Sequence, residues 1–106
     1  MEKKVEKEEG KIFTIGELKF NSYELTVEIG EDKFELPSKD FDLLHYLASN
    51  PDQVFTREEL LNIFWEEDDF VFDRLIDVHI NRIKQKLDCS RKLIESVIGG
   101  YKFIGN

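Results

Sequence analysis

"DVHINRIKQKL", residues 77–87, decides the fold. Wound at about 100° per residue, the stretch and its flank bring Ile76, Ile80, Ile83 and Leu87 onto one narrow arc. That arc is the buried face of a helix. Arg74, Val78, Asn81, Arg82 and Gln85 fall on the far side, with Leu75 beside them. A purely solvated face has no use for a valine and a leucine among arginines, so this side is read as a contact surface.

The elements around this helix define its setting. Upstream, "TREE" at 56–59 is a capping box, in which Thr56 caps the amide three residues on and Glu59 reaches back. It starts a second helix carrying Leu60, Leu61, Phe64 and Trp65, the aromatic pair being read as core. Before it, Phe41, Leu44, Leu47 and Ala48 form the stripe of a first helix, stopped by "NP" at 50–51. Earlier still, "KIFTI", "ELKFN", "ELTVEI" and "DKFELP" alternate as strands and predict a four-stranded antiparallel sheet. Its buried side would be Phe13, Ile15, Leu18, Phe20, Leu25, Val27, Ile29, Phe34 and Leu36. Asp73 is placed as the cap of the third helix, which runs to about Leu87. After it, "LIESVI" and "YKFI" form a terminal hairpin joined at Gly99 and Gly100. The expected fold is α+β: a winged helix-turn-helix with an N-terminal four-stranded sheet, three helices and a C-terminal β-hairpin wing. In this architecture the third helix enters the DNA major groove.

Composition bounds the function. The chain has 106 residues, 41% of them hydrophobic, which suits one domain with a real core. Residues 1–10 are read as a charged, disordered linker or tail, and 11–106 as the domain. No apolar run approaches the roughly 18 residues of a membrane span, and no signal peptide is evident. The lone cysteine, Cys89, excludes an internal disulfide framework, so a reducing, cytoplasmic setting is expected. The net charge of −8 is unusual for a DNA-binding domain. Its distribution is uneven: residues 1–36 hold 6 basic and 10 acidic side chains, 37–72 hold 2 and 9, and 73–106 hold 7 and 4. The basic surplus therefore lies with the third helix, and local charge outweighs the total within about 10 Å at physiological salt.

"RLIDVHINRIKQKL", residues 74–87, resembles the recognition helix of the OmpR/PhoB family of response-regulator effector domains, R-x-V-D-V-H-I-x-R-L-R-x-K-L. "LPSKDFDLLHYLASNPDQVFTREELLNIFW" is similar to that family's first two helices and "GGYKF" to its wing, so the resemblance spans about residues 12–104. It implies a transcription regulator that binds promoter DNA, commonly as tandem copies on direct repeats, under a phosphorylated receiver domain of a two-component phosphorelay. It also implies site roles. Arg74, His79 and Asn81 match phosphate contacts; Leu75, Val78, Arg82 and Lys84 match positions facing the bases or their edge. Val78 would meet a thymine methyl and Arg82 a guanine or phosphate. Lys86 and Lys102 complete the expected DNA-binding set. His79 is expected to donate to a phosphate even when neutral.

Three positions depart from the family pattern. Pro37 stands where the family has a threonine cap, and Ser38 is expected to cap the first helix one residue later. Leu75 occupies a position often filled by a small polar residue. Ile98 stands where the wing arginine of T-V-R-G-x-G-Y would enter the minor groove. The acidic loop Glu66, Glu67, Asp68 and Asp69 is either a solvated connector or, as in the family, a contact for RNA polymerase. The competing reading of the whole chain is a degenerate winged helix that binds protein, a receiver or polymerase. Catalysis is not expected: two histidines and Cys89 are too scattered for a metal site or a nucleophilic pair, and no cofactor is implied. Neither Val78→Ala nor Arg82→Ala is expected to unfold the domain, since both point away from the isoleucine arc.

Overall fold

A computed structural model of the chain describes residues 11–65, 72–87 and 93–104. The charged segment 1–10, the acidic loop Glu66–Asp69 and Cys89 lie outside the described residues.

Strands β1 (Ile12–Ile15), β2 (Leu18–Asn21), β3 (Thr26–Ile29) and β4 (Asp32–Glu35) form an antiparallel sheet in the order β1-β2-β3-β4. Gly16 and Gly30 supply the left-handed backbone of the two tight turns, at φ of +59° and +60°. Phe13, Phe20, Val27 and Phe34 lie opposite one another across the strands. Leu18, Phe20, Val27, Ile29 and, just beyond the sheet, Leu36 are buried; Phe13, Ile15 and Phe34 are half-buried against them. Leu25 departs from the alternation. It precedes β3 in a turn, half-buried, with a left-handed φ of +59°, and its carbonyl accepts from Leu36 N–H at 2.9 Å.

Helix α1 (Ser38–Ser49) crosses the sheet's buried face, where the Phe41 ring meets Phe20 edge-on at 5.5 Å between centroids. Its start corrects the sequence expectation. Pro37 holds the cap position and no side chain caps the helix; Ser38 is its first helical residue. Pro37 lacks a hydroxyl, and Ser38 lies one residue too far into the helix to reach the free amides. At the other end Asn50 Nδ2 donates to the Tyr46 carbonyl at 2.9 Å, and Pro51 blocks continuation.

The capping box is present. Glu59 N–H donates to Thr56 Oγ1 at 3.0 Å and Thr56 N–H to Glu59 Oε1 at 2.9 Å, starting α2 (Arg57–Phe64). Helix α3 (Asp73–Leu87) buries Ile76, Ile80, Ile83 and Leu87. Asp73 lies within its first turn, so its charge faces the helix N-terminus from inside the helix and not from the cap position.

Two features of the wing were not read from the sequence. A two-residue strand, β5 (Phe55–Thr56), pairs with β7 (Gly100–Phe103), which pairs with β6 (Ile94–Val97), giving a second sheet in the order β5-β7-β6. The hairpin turn is Ile98–Gly99, not Gly99–Gly100, because Val97 pairs with Gly100. Gly99 supplies the positive φ of +83°, while Gly100 lies in the strand, where a Cβ would sit 2.1 Å from the Phe55 carbonyl oxygen. Among the described residues no helix is long and apolar enough to cross a membrane.

Candidate nucleic-acid interface

Helix α3 turns its isoleucine arc to the core and leaves Arg74, Val78, Asn81, Arg82 and Gln85 exposed at helical spacing. Val78 is 53% exposed among these polar side chains. Leu75 is half-buried and packs on the core, so it borders the outward face instead of standing on it.

Two carboxylates fix how this face is presented. Asp77 accepts from Arg57 Nε of α2 at 2.9 Å and from the Tyr101 hydroxyl of β7 at 2.5 Å. One acid thus ties the second helix, the third helix and the wing together. Burial pushes the Asp77 carboxyl upward, but the hydrogen bonds from Tyr101 and Arg57 outweigh it and hold the group below its ordinary range. The hydrogen bond to Asp77 raises Arg57 in turn.

Asp40 of α1 is the second anchor, and its carboxylate is fully buried. It accepts from Arg82 Nε at 2.7 Å and Arg82 NH2 at 3.3 Å, and its Oδ1 lies 2.5 Å from His79 Nδ1. An ionised carboxylate only accepts, so Nδ1 carries the proton. The His79 ring also rests on Trp65, 5.0 Å between centroids, with 15% of its side chain exposed. With Nδ1–H given to Asp40, Nε2 is the ring nitrogen left to face a phosphate, and it donates only when the ring carries both protons. Arg82 is likewise not a free side chain: the hydrogen bond to Asp40 raises its pKa, and 43% of it stays exposed.

The remaining lysines are spread out. Lys84 is half-buried, and Lys86 Nζ donates to the Glu35 carbonyl at 2.6 Å, which ties the end of α3 to β4. Lys102 faces Glu95 across the wing, 3.9 Å apart, and Ile98 stands fully exposed at its tip. The structure therefore brings Arg74, Val78, Asn81 and Arg82 together on one face and places Lys86 and Lys102 against other partners. Among the described residues no group of three or more His, Cys, Asp or Glu side chains could hold a metal ion.

Asp40, Arg57, Asp77 and Tyr101 were missed as positioning residues. Asp40 had left a signal: it precedes Leu44 and Leu47 by four and seven residues, on the apolar stripe of α1. A carboxylate there must find a cation or a donor from elsewhere in the fold.

The Tyr101 phenol gives a pH test. Burial, then the hydrogen bond to Asp77 and its charge, push its pKa from 10.0 to about 12. A raised folded-state pKa contributes stability that is complete below the unfolded value and lost as pH rises through the folded one. Wild-type stability should therefore fall, relative to Tyr101→Phe, between about pH 10 and 12, by about 2–3 kcal/mol across the window. Denaturant unfolding of both proteins at several alkaline pH values measures it. A constant difference between the two would refute the coupling.

A family model described as "Transcriptional regulatory protein, C terminal" matches residues 30–103. The chain is 41% identical over 95 residues to the heme response regulator HssR of Staphylococcus aureus (strain JH9), covering 84% of this chain and 41% of that protein. It thus spans about two-fifths of the length of the curated relatives it matches. Response regulator DrrB of Thermotoga maritima, an OmpR/PhoB homolog, superposes with a TM-score of 0.74 at 34% identity, covering 89% of this chain and 44% of that one. The RstA DNA-binding domain of Klebsiella pneumoniae, solved in complex with the RstA box, gives 0.72 at 30% identity, covering 89% and 97%. The chain belongs to this family of transcriptional regulatory C-terminal domains, the winged-helix DNA-binding effector domains of OmpR/PhoB-type response regulators.

Proposed function

We propose that the domain reads promoter DNA sequence-specifically, with α3 in the major groove, as the output of a cytoplasmic two-component response regulator. The observation that supports this best is the exposed ridge of Arg74, Val78 and Asn81 on a helix whose back is buried and whose pose is fixed at Asp77. A phosphorylated receiver domain would control it, tandem copies would occupy direct repeats, and RNA polymerase would be a further partner, as the family resemblance implies. Arg74 and Asn81 contact phosphates, and Val78 packs on a thymine methyl. Leu75, at the border, meets the edge of the site, and Lys84, Lys86 and Lys102 add to the local positive field.

Titration against a selected site and a scrambled duplex at two salt concentrations tests the reading. Arg74→Ala should weaken both complexes alike and lower the salt slope by about 1. Val78→Ala should cost about 1 kcal/mol, mainly at one base pair. A wild type that cannot tell the duplexes apart, with both variants unchanged, would hand the face to a protein partner. One observation favours that second reading: the wing tip carries the fully exposed Ile98 and no free arginine, and the chain's net charge is −8.

A further inference from the structure

We propose that Asp40, buried in α1 and away from any DNA contact, sets the base preference of α3 by holding the Arg82 guanidinium in one orientation. This rests on the DNA reading of the α3 face. An arginine has five N–H donors. Asp40 takes the Nε–H at 2.7 Å and one NH2 hydrogen at 3.3 Å, a side-on grip that fixes the guanidinium plane. His79 Nδ1 closes on the same carboxylate at 2.5 Å, so both side chains are anchored on one buried acid. Three N–H groups remain, two on NH1 and one on NH2. One hydrogen from each of NH1 and NH2 forms the end-on fork, and the 43% of the side chain still exposed lies four residues on from Val78 on the outward face.

The end-on fork is the donor pair that guanine accepts through O6 and N7. A free arginine has many rotamers to surrender on binding; one already gripped from the side loses less for each bond it forms. The buried acid also cancels one positive charge behind the helix. Asp40 should therefore favour discrimination over general adhesion to phosphates. It is a positioning residue: it acts through Arg82, and the base pair it governs is a G·C pair next to the one that Val78 reads.

The test compares Asp40→Asn, Arg82→Lys and the double variant on a selected site, on the same site with each G·C pair changed singly, and on a scrambled duplex. Asp40→Asn should lose about tenfold in affinity for the selected site. The loss should concentrate at one G·C pair, with binding to the scrambled duplex unchanged or tighter. Arg82→Lys should lose preference at the same pair, and adding Asp40→Asn to it should remove nothing more there. Asp40→Glu, which keeps the carboxylate, should restore discrimination. An equal loss on every duplex, or unchanged selectivity in a folded Asp40→Asn protein, overturns the proposal while leaving the DNA reading standing. A wild type that does not discriminate removes the DNA reading itself. The Nε–H resonance of Arg82, identified by its absence in Arg82→Lys, gives a check that needs no folded Asp40 variant. It should exchange more slowly than those of exposed arginines and persist on binding the selected site; fast exchange in the free protein overturns the grip.

Discussion

Arg82→Ala is expected to lower the stability of the domain by about 3 kcal/mol, besides removing its contribution to DNA binding. The helical face alone predicted an innocuous truncation, because Arg82 points away from Ile76, Ile80, Ile83 and Leu87. The buried partner reverses that expectation. Asp40 is fully buried, and among the described residues Arg82 supplies two of the three side-chain donors that reach its carboxylate. Removing one member of such a pair leaves a charge without compensation, which costs more than the pair itself ever contributes. His79 would remain, and water could enter where the guanidinium was, so the loss should fall toward the lower end of the range for buried pairs. Val78→Ala is the control, on the same face and with no buried partner, and should stay within about 0.5 kcal/mol. Urea unfolding of the three proteins at neutral pH measures the difference. If Arg82→Ala matches Val78→Ala in stability, the Asp40 grip contributes nothing in solution. Binding by Arg82→Ala must be measured at a temperature where it is fully folded, since a loss of affinity would otherwise mix unfolding with lost contacts.

The difference between these expectations shows what the sequence could and could not reveal. Periodicity alone oriented α3, because four large aliphatic side chains at helical spacing have only one way to face a core. The Thr56–Glu59 box was readable for a similar reason: its partners lie three residues apart and act locally. The strand β5 was not, since two residues have no period, and Phe55–Thr56 becomes a strand only because β7 arrives from far along the chain. The interface was legible in outline and not in its state. Arg74, Val78 and Asn81 were found by face, but the engagement of Arg82 and His79 depends on a carboxylate about forty residues away. Asp77 was legible only as part of the resemblance; its task, joining Arg57 and Tyr101, is a tertiary fact. Such long-range polar pairings follow from which elements meet, and local pattern does not encode that.

Gly100→Ala is expected to be the most damaging small substitution in the wing, at about 2–3 kcal/mol. The added Cβ would lie 2.1 Å from the Phe55 carbonyl oxygen, 2.9 Å from its carbon and 3.0 Å from Thr56 Cα. All three are backbone atoms, so no side chain can swing aside, and β5 and β7 must separate. The consequences spread in both directions along the chain. Thr56, paired with Gly100, caps α2, and Tyr101, paired with Phe55, holds Asp77 of α3. Prying the strands apart therefore loosens the wing from both helices and frees the pose of the outward face. The neighbouring glycine separates this cause from a general intolerance of the turn. Gly99 has open space around the Cβ position, and Gly99→Ala meets only the cost of a left-handed backbone at φ +83°, about 1–2 kcal/mol. Thermal unfolding should rank Gly100→Ala below Gly99→Ala. Hydrogen exchange should show the amides of residues 55, 56 and 101 losing protection in Gly100→Ala alone. Equal effects of the two substitutions, or retained protection across β5 and β7, would mean that the close approach at Gly100 is relaxed in solution and that the wing does not depend on it.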